Sequence, residues 1–396
     1  MLSDKAKNVS PSPTLAISAK AKEMKSQGID VIGFGAGEPD FDTPEHIKKR
    51  AIKEIENGFT GYTPAAGVPE LKEVIANKLK RDNNLDYSAD QIVVSNGAKH
   101  SILNACSALL NEGDEVLVPT PYWVSYPELV KLGGGTPKII ETSEANNFKV
   151  TIKDLENSLS SKTKLLILNS PSNPSGQMYT KEELKEIGDF VVKNGIYVIS
   201  DEIYEYIVYD DNKHVSIASL SSELKDRTII INGVSKSYAM TGWRIGYTAS
   251  NLELAKAMGA MQSHATSNPC SISQMAAHEA ISGPQDCVGE MVKEFDKRRK
   301  FMQQRIKEIP YLEAMEPQGA FYMFVSMKET SGMKHENNEI NDSQNFAKYL
   351  LDSKKVALVP GDGFGAKYYI RISYATSMDN IERGLDRIEE FVKELS

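Results

Sequence analysis

Short runs of apolar and β-branched residues alternate with longer segments of helical periodicity through the middle of the chain. Leu103–Leu110 and Glu182–Val192 space their apolar residues at about 3.6, which is typical of an amphipathic helix. The runs between such segments predict strands, because they are almost continuously apolar and bounded by turn residues. The predicted strands are Ile92–Ser95, Glu115–Val118, Lys138–Glu141, Leu165–Leu168, Tyr197–Ser200, Thr228–Ile231 and Ile245–Ala249.

Strands that lack a polar face indicate a sheet covered on both sides. Because these strands alternate with helices, we expect an α/β fold with a mainly parallel, seven-stranded sheet flanked by helices. The pattern predicts one large domain over residues 46–282.

The pattern changes after Gly283-Pro284. A long charged helix is predicted over Lys293–Lys307, with the four cations at 297–300 on its solvated side. We expect a smaller α+β domain over residues 283–396, completed by residues 1–45 as an N-terminal arm and part of that domain. Its other predicted elements are strands around Ala320–Val325, Val356–Val359 and Tyr369–Ser373 and a closing helix over Asn380–Leu395.

The charge and the cysteine content narrow the class of protein. The 396 residues carry 46 Lys+Arg against 54 Asp+Glu, a net charge of -8, which argues against a general nucleic-acid binder. The three cysteines have no CxxC spacing and the six histidines no ligand spacing, so neither a disulfide framework nor a metal site is expected.

The sequence predicts neither a signal peptide nor a membrane-spanning segment. Residues 1–13 contain no apolar run of the kind found in signal peptides. The charge-free stretch 257–278 contains Ser, Asn, Gln, His and Pro, and it predicts a polar loop leading into a helix. We expect a cytoplasmic protein without a nucleic-acid or membrane partner.

Polar residues follow four of the predicted strands, where the ligand crevice of a parallel sheet lies. Asn96–Lys99 opens a helix with small residues whose backbone N–H groups suit a phosphate. In Asn169–Gly176, two prolines and a glycine fix a turn that orients Asn173. Asp201–Tyr204 and Asn232–Lys236 add a carboxylate and a lysine. Each motif alone also fits an ordinary turn or helix cap.

Together these groups match one chemistry. Pyridoxal phosphate requires a Schiff-base lysine, a carboxylate for its pyridinium nitrogen and a phosphate site, and all three are predicted around one crevice.

Residues 235–247, SKSYAMTGWRIGY, closely resemble the lysine signature of the class I aminotransferases, pyridoxal-phosphate enzymes of fold type I. The resemblance covers nearly the whole chain and is closest to the aspartate/prephenate aminotransferase subgroup. It implies pyridoxal 5′-phosphate as cofactor. The other matching motifs, in the order of the family, are Gly35–Pro44, Tyr62–Leu71, Pro121–Pro127, Asn169–Gly176, Asp201–Tyr204 and Tyr369–Thr376.

The resemblance implies the catalytic roles. Lys236 would hold the cofactor as an aldimine in a ping-pong reaction and, once freed, would move the α-proton of the substrate. Asp201 would pair with the pyridine nitrogen, and Tyr204 and Asn173 would bind the phenolic oxygen. Trp123 would stack on the ring, and both Trp123 and Asn173 would also contact the substrate.

The resemblance also implies how the cofactor phosphate is bound. Tyr62 matches a tyrosine that relatives receive from a second subunit, which implies a homodimer with shared active sites; a loop tyrosine packing on a neighbour is the alternative. Gly233 stands where many relatives have a phosphate-binding serine, and Ser235 is the candidate replacement. The other expected phosphate ligands are the backbone at Gly97, Ala98 and Lys99 and the side chain of Arg244.

The resemblance implies that four further positions bind the substrate. Arg371 in YIRISYAT matches the arginine that binds the α-carboxylate, and Gly37 matches a backbone donor to the same group. Thr14 and Lys99 match the pair that binds a second carboxylate in one subgroup, although a lysine at a helix start can also be simply solvated.

We therefore expect aspartate and 2-oxoglutarate to be converted into oxaloacetate and glutamate. Prephenate as amino acceptor fits the same Thr–Lys pair, and an aromatic aminotransferase or a C–S β-lyase are alternatives on the same fold. A nicotinamide dehydrogenase is disfavoured, because Gly33–Gly37 lacks the third spaced glycine of the dinucleotide fingerprint.

Overall fold

The computed structural model describes the backbone of residues 2–10 and 13–396, and the side chains in these ranges except at positions 4, 5, 13–16 and 18. The α-helices are α1 (Asp4–Lys7), α2 (Pro13–Ser26), α3 (Glu45–Glu56), α4 (Pro69–Asn83), α5 (Ala98–Leu109), α6 (Tyr126–Leu132), α7 (Ile152–Ser158), α8 (Lys181–Asn194), α9 (Ser222–Arg227), α10 (Leu252–Ala265), α11 (Ser271–Ser282), α12 (Asp286–Glu308), α13 (Ser343–Lys354) and α14 (Met378–Lys393).

The strands form two main sheets and two short pairs. They are β1 (Ile32–Gly33), β2 (Ile92–Ser95), β3 (Glu115–Pro119), β4 (Thr136–Ile140), β5 (Thr163–Asn169), β6 (Tyr197–Asp201), β7 (Thr228–Gly233), β8 (Gly246–Ala249), β9 (Glu313–Ala314), β10 (Tyr322–Ser326), β11 (Lys334–His335), β12 (Asn338–Glu339), β13 (Val356–Ala357), β14 (Val359–Pro360) and β15 (Tyr369–Ser373).

The predicted seven-stranded α/β sheet is confirmed. Its strand order is β2-β8-β7-β6-β5-β3-β4, and the neighbours from β7 to β4 run parallel. Only β8 runs against its neighbours, β2 and β7. Every residue of β2, β7 and β8 is buried, as expected for strands covered on both faces.

A smaller antiparallel sheet, in the order β14-β15-β10-β9, is built from the C-terminal part of the chain. The predicted strand Val356–Val359 is divided there, because β13 pairs in parallel with β1 whereas β14 pairs with β15. The N-terminal segment therefore joins the C-terminal elements in space. The domain boundaries given by the sequence stay a prediction.

Two local predictions were wrong. Helix α12 does not present residues 297–300 to solvent as a block: Lys297 and Lys300 are exposed, but Arg298 and Arg299 are buried. Most of the supposed polar loop at 257–278 is helical, because α10 continues to Ala265 and α11 starts at Ser271. Within the described ranges, no helix combines the length and apolarity needed to cross a membrane.

Candidate active site

A cavity of about 480 Å³ lies at the carboxyl ends of β5, β6 and β7, where the smaller sheet faces the larger one. Gly97, the residue before α5, lies directly behind it. Tyr62 does not line it, and the side chain of Thr14 lies outside the described residues. The predicted site residues that line the cavity are Gly37, Ala98, Lys99, Trp123, Asn173, Asp201, Tyr204, Ser235, Lys236, Arg244 and Arg371.

Lys236 follows the end of β7 and reaches into the cavity. Its Nζ donates a hydrogen bond to the backbone oxygen of Gly37 at 2.6 Å. Burial lowers the pKa of Lys236 to about 8; the carboxylate of Glu38 opposes this shift and the guanidinium of Arg371 adds to it. An amine with this pKa is partly neutral near physiological pH, so it can act as a nucleophile or a base.

Asp201 is the last residue of β6, and its carboxylate is buried. The hydroxyl of Tyr126 donates to Oδ2 at 2.7 Å, and the backbone N–H of Ile203 donates to Oδ1 at 3.3 Å. Burial raises the pKa of Asp201 to about 6, and these two hydrogen bonds limit the rise. A carboxylate held in this way is suited to pair with a cationic ring nitrogen.

Tyr204 and Tyr322 share a hydrogen bond of 2.8 Å between their hydroxyl oxygens. Both rings are buried and meet edge to face, with centroids 5.9 Å apart. Burial raises the pKa of both phenols, so both are protonated at neutral pH and can donate.

Arg371 lies in β15 and contacts the turn after β5 and the segment after β1. Its Nη1 donates to Oδ1 of Asn173 at 2.9 Å and its Nη2 to the backbone oxygen of Gly35 at 3.0 Å, but its buried Nε has no acceptor among the described residues. No carboxylate of the described residues pairs with it. Because the oxygen of Asn173 is occupied, the amide NH₂ of Asn173 is the group left to donate.

The start of α5 and the side chain of Arg244 form an anion-binding corner. Helix α5 begins at Ala98, and the N–H groups of a first helical turn have no intrahelical acceptor. Gly97 has a φ of 89°, and a Cβ there would clash with the guanidinium of Arg244, so only glycine allows this close approach. Nη1 of Arg244 donates to the backbone oxygen of Thr241 at 2.8 Å.

Gly233 is a structural requirement of the sheet. A Cβ at this position would lie 2.8 Å from the backbone oxygen of Ile245, just before β8, and 2.9 Å from Cα of Gly246 in β8. Serine therefore cannot replace Gly233 without displacing β8, which explains the departure that the sequence shows here.

Lys99 and Tyr62 differ from the residues above. The Nζ of Lys99 lies 5.0 Å from the centre of the Trp123 ring, and no carboxylate in the described part of the chain pairs with it. Burial, with a smaller effect of Arg244, lowers the pKa of Lys99. Tyr62 is 94% exposed on the loop between α3 and α4.

Three residues that the sequence pattern did not predict contact the predicted ones. Tyr126 supports Asp201, Tyr322 supports Tyr204, and Glu38 faces Lys236. Tyr126 and Glu38 lie inside motifs already identified, Pro121–Pro127 and Gly35–Pro44. These motifs could have indicated Tyr126 and Glu38, whereas Tyr322 lies in none of the motifs identified.

Comparisons with known proteins agree with this geometry. An aspartate aminotransferase from Bacillus sp. (strain YM-2) is 50% identical over 393 residues, which cover 99% of both chains. A protein from Rickettsia conorii named probable aspartate/prephenate aminotransferase is 49% identical and covers 99% of this chain and 98% of its own. The crystal structure of the aspartate aminotransferase from Rhizobium meliloti matches with a TM-score of 0.97 and 42% identity over 100% of both chains. The family model of class I and II aminotransferases matches residues 29–388. The chain therefore belongs to the class I and II aminotransferases.

Proposed function

We propose that this aminotransferase exchanges the amino group between aspartate and 2-oxoglutarate, forming oxaloacetate and glutamate. The observation that carries the proposal is one cavity that brings together a lysine of lowered pKa, a buried carboxylate and two cations, Arg371 and Lys99, that have no carboxylate partner among the described residues. Two such cations match the two carboxylates of the substrate. The names of the relatives from Bacillus and Rhizobium support the same substrate.

Class I and II aminotransferases use pyridoxal 5′-phosphate, and the residues of the cavity fit this group. Asp201 offers a buried carboxylate that can pair with a cationic ring nitrogen. Lys236 offers an amine of lowered pKa. The start of α5 and the side chain of Arg244 together form a corner that can bind the phosphate dianion. When bound, this cofactor supplies an aldehyde that takes up the amino group and a ring that accepts electrons.

The side chains of the cavity then act on defined atoms. Lys236 would accept the α-proton of the substrate and give it to the carbon of the cofactor that carries the aldehyde, because its amine loses and regains a proton near neutral pH. Asp201 would keep a proton on the ring nitrogen. Tyr204 and the NH₂ of Asn173 would donate to the phenolic oxygen, and Trp123 would pack on the ring face.

Arg371 is proposed to bind the α-carboxylate as a planar pair, with the backbone N–H of Gly37 as a further donor. Lys99 is proposed to bind the distal carboxylate together with Thr14, whose side chain lies outside the described residues. The same pair suits prephenate as the amino acceptor, and the relative named aspartate/prephenate aminotransferase keeps that alternative in the test.

The phosphate is proposed to lie on the backbone of Gly97, Ala98 and Lys99, with the side chain of Arg244 and the hydroxyl of Ser235. Tyr62 of a second copy completes this site in a homodimer. The nearly full exposure of Tyr62 and its distance from the cavity of its own chain support that role. The cytoplasmic location stays a prediction.

An absorbance titration of the purified protein tests the function. We expect a visible band from the lysine-bound cofactor, its loss with excess aspartate, and its return with 2-oxoglutarate; a return with prephenate would extend the acceptor range. A band that does not respond to aspartate would exclude the proposed substrate. Pyruvate formed from cystathionine without an oxo acid would identify a C–S lyase instead.

A further inference from the structure

The turn that carries Asp201 and Tyr204 has two faces. Asp201 and Tyr204 line the cavity, whereas Glu202 and Glu205, both buried, lie on the opposite side. Glu202 accepts hydrogen bonds from the hydroxyls of Ser200 at 2.8 Å and Ser216 at 2.6 Å and contacts Nε2 of His214 at 3.2 Å. These contacts of Glu202 connect the turn to the segments that precede and follow it in the sequence.

Glu205 makes longer-range contacts. Its Oε1 accepts a hydrogen bond from Nδ2 of Asn232 at 2.7 Å and forms an ion pair with Nζ of Lys78 on α4. Its Oε2 accepts from Nδ2 of Asn83 at 3.0 Å. The side chains of Glu205 and Lys78 are both nearly inaccessible to solvent. One carboxylate thus connects α4, the turn after β6 and the end of β7.

Asn232 transmits this connection toward the lysine. Its Oδ1 accepts a hydrogen bond from the backbone N–H of Gly233 at 2.7 Å, so both ends of the amide are occupied. The chain leaves β7 at Gly233 and reaches Lys236 three residues later. The side chain of Asn232 is therefore held at the point where β7 ends and the chain turns toward Lys236.

The cluster of Glu202, Glu205 and His214 is not suited to bind a metal ion. Ligand-type atoms of Glu202, Glu205 and His214 lie within 4.8 Å of one another. Lys78, Asn83 and Asn232 already occupy the oxygens of Glu205, however, and a lysine ammonium beside the carboxylate repels a cation. The buried charge is compensated by the protein itself.

We propose that Glu205 is a positioning residue that acts through Asn232 to hold Lys236 in register with Tyr204. The inference rests on the roles of Lys236 and Tyr204 proposed above. Burying an ion pair gives little stability over an apolar pair, so a defined geometry is what this arrangement contributes. A displacement of about 1 Å at a reacting group is enough to slow a reaction about 100-fold.

The test uses holoenzyme variants and two readouts, the kinetics with aspartate and the pH midpoint of the visible band of the lysine-bound cofactor. Asn232→Ala removes the bridge but keeps the pair Glu205–Lys78. We expect kcat to fall about tenfold or more with KM within about twofold, and the midpoint to shift by about 0.5 pH unit or more.

Glu205→Gln should reproduce both changes, because it removes the charge that compensates the buried Lys78 and places an amide NH₂ against the Nδ2 donor of Asn83. The double variant Lys78→Met with Glu205→Gln should recover the parental midpoint and most of kcat. No buried ammonium is then left unpaired, and Asn83, released from Lys78, can turn its Oδ1 toward the new NH₂. The control is Lys149→Met, which breaks the ion pair of the buried Lys149 with the partly exposed Glu183 at the start of α8, outside the cavity, and should lower stability without moving the midpoint.

Parental kcat and midpoint in Asn232→Ala would overturn the proposal, and so would a double variant that behaves like Glu205→Gln alone. If Glu205→Gln does not fold, Asn232→Ala decides alone. A parental enzyme without any visible band would instead contradict the function proposed for Lys236.

Discussion

At the scale of single residues, burial in the cavity brings the pKa values of an acid and a base closer together. Burial raises the pKa of Asp201 to about 6 and lowers that of Lys236 to about 8. The shifts have one cause, because burial disfavours the charged form of either group. The cavity therefore holds a carboxyl and an amine that both change charge near neutral pH, and for Lys236 this is the property that proton transfer requires.

The raised pKa of Asp201 predicts a conflict between stability and function. An unfolded Asp titrates near pH 4, so this group stabilises the folded apoprotein less and less as the pH rises from about 4 to about 6. Asp201→Asn cannot ionise. We expect the apoprotein of this variant to be more stable than the parent at pH 8 by up to about 3 kcal/mol, with a smaller gain at pH 5.

Urea unfolding of both apoproteins at pH 8 and pH 5 measures this difference, and the absorbance of the holoenzyme measures the functional loss. The variant should lose transamination because an amide cannot hold a proton on the ring nitrogen. A gain in stability of equal size at both pH values would show that ionisation is not its source.

Lys99 is expected to decide between dicarboxylic and apolar amino acids. Lys99→Met keeps the length and the packing on Trp123 but removes the charge that faces the cavity. We expect kcat/KM for aspartate to fall about 10- to 100-fold while kcat/KM for alanine changes little, because only aspartate loses a charge-assisted contact.

Lys131→Met is the matched control for this comparison, since Lys131 already pairs with Glu128 on α6 and lies outside the cavity. Equal losses for aspartate and alanine in Lys99→Met would assign Lys99 to the phosphate corner alone.

The sequence predicted the residues of the cavity better than their partners. Asp201, Lys236 and Asn173 each follow a strand, so the rule for parallel sheets places them together. The partner of Tyr204 could not be found in this way, because Tyr322 comes from the second sheet and contacts Tyr204 only through the packing of the two sheets. No local pattern encodes that contact.

At the scale of elements, helix α12 shows why a charged pattern does not predict exposure. Arg298 packs on Phe41 and pairs with Asp40 of the N-terminal segment at 2.7 Å. Arg299 pairs with Asp210 of the loop after β6 at 2.7 Å. The helix is covered on two sides, and the covering segments supply carboxylates that are remote in the sequence. A buried arginine needs such partners, and periodicity within one helix cannot reveal them.

Neighbouring cations of α12 are therefore expected to differ strongly in their effect on stability. The side chain of Arg299 is 1% exposed and also donates to the backbone oxygen of Pro317, whereas the side chain of Lys300 is 58% exposed. Arg299→Met should lower the free energy of unfolding by about 3 kcal/mol, and Lys300→Met by less than about 0.5 kcal/mol.

Thermal and urea unfolding of the two variants measures this contrast directly, without assaying activity. Similar small losses in both would mean that the ion pairs of Arg299 contribute no more than those of an exposed residue.

At the scale of the whole molecule, the alternation of strands and helices predicted a mainly parallel seven-stranded sheet correctly. It did not predict the position of β8, which enters between β2 and β7 in the opposite direction. The reason is that an apolar run reports burial and not direction. The chain reverses its direction between β7 and β8, in the segment that contains Lys236. The residues of the lysine motif identify this segment but do not indicate that the chain reverses there.

The assembly of two copies gives a further prediction. If Tyr62 enters the cavity of a second copy, Tyr62→Phe should weaken pyridoxal phosphate binding about tenfold by removing one charge-assisted hydrogen bond. The melting temperature of the apoprotein should stay unchanged, because the side chain has few contacts within its own chain.

Equilibrium titration with pyridoxal phosphate measures the affinity, and sedimentation gives the number of copies. Tyr311→Phe, another exposed tyrosine, serves as control. Unchanged affinity in Tyr62→Phe, or a monomeric holoenzyme of full activity, would refute the shared site.

The pairing of β1 with β13 has a consequence for the order in which the protein is made. These strands are separated by roughly 320 residues, so closing them is a contact of very high sequence separation. On a ribosome, β1 emerges long before its partner exists, while the seven-stranded sheet can form as soon as β8 has appeared. The N-terminal segment therefore waits for β13 through most of translation. Arg371 is the last of the cavity residues to be synthesised, so it reaches its place only after the large sheet has supplied its part of the cavity.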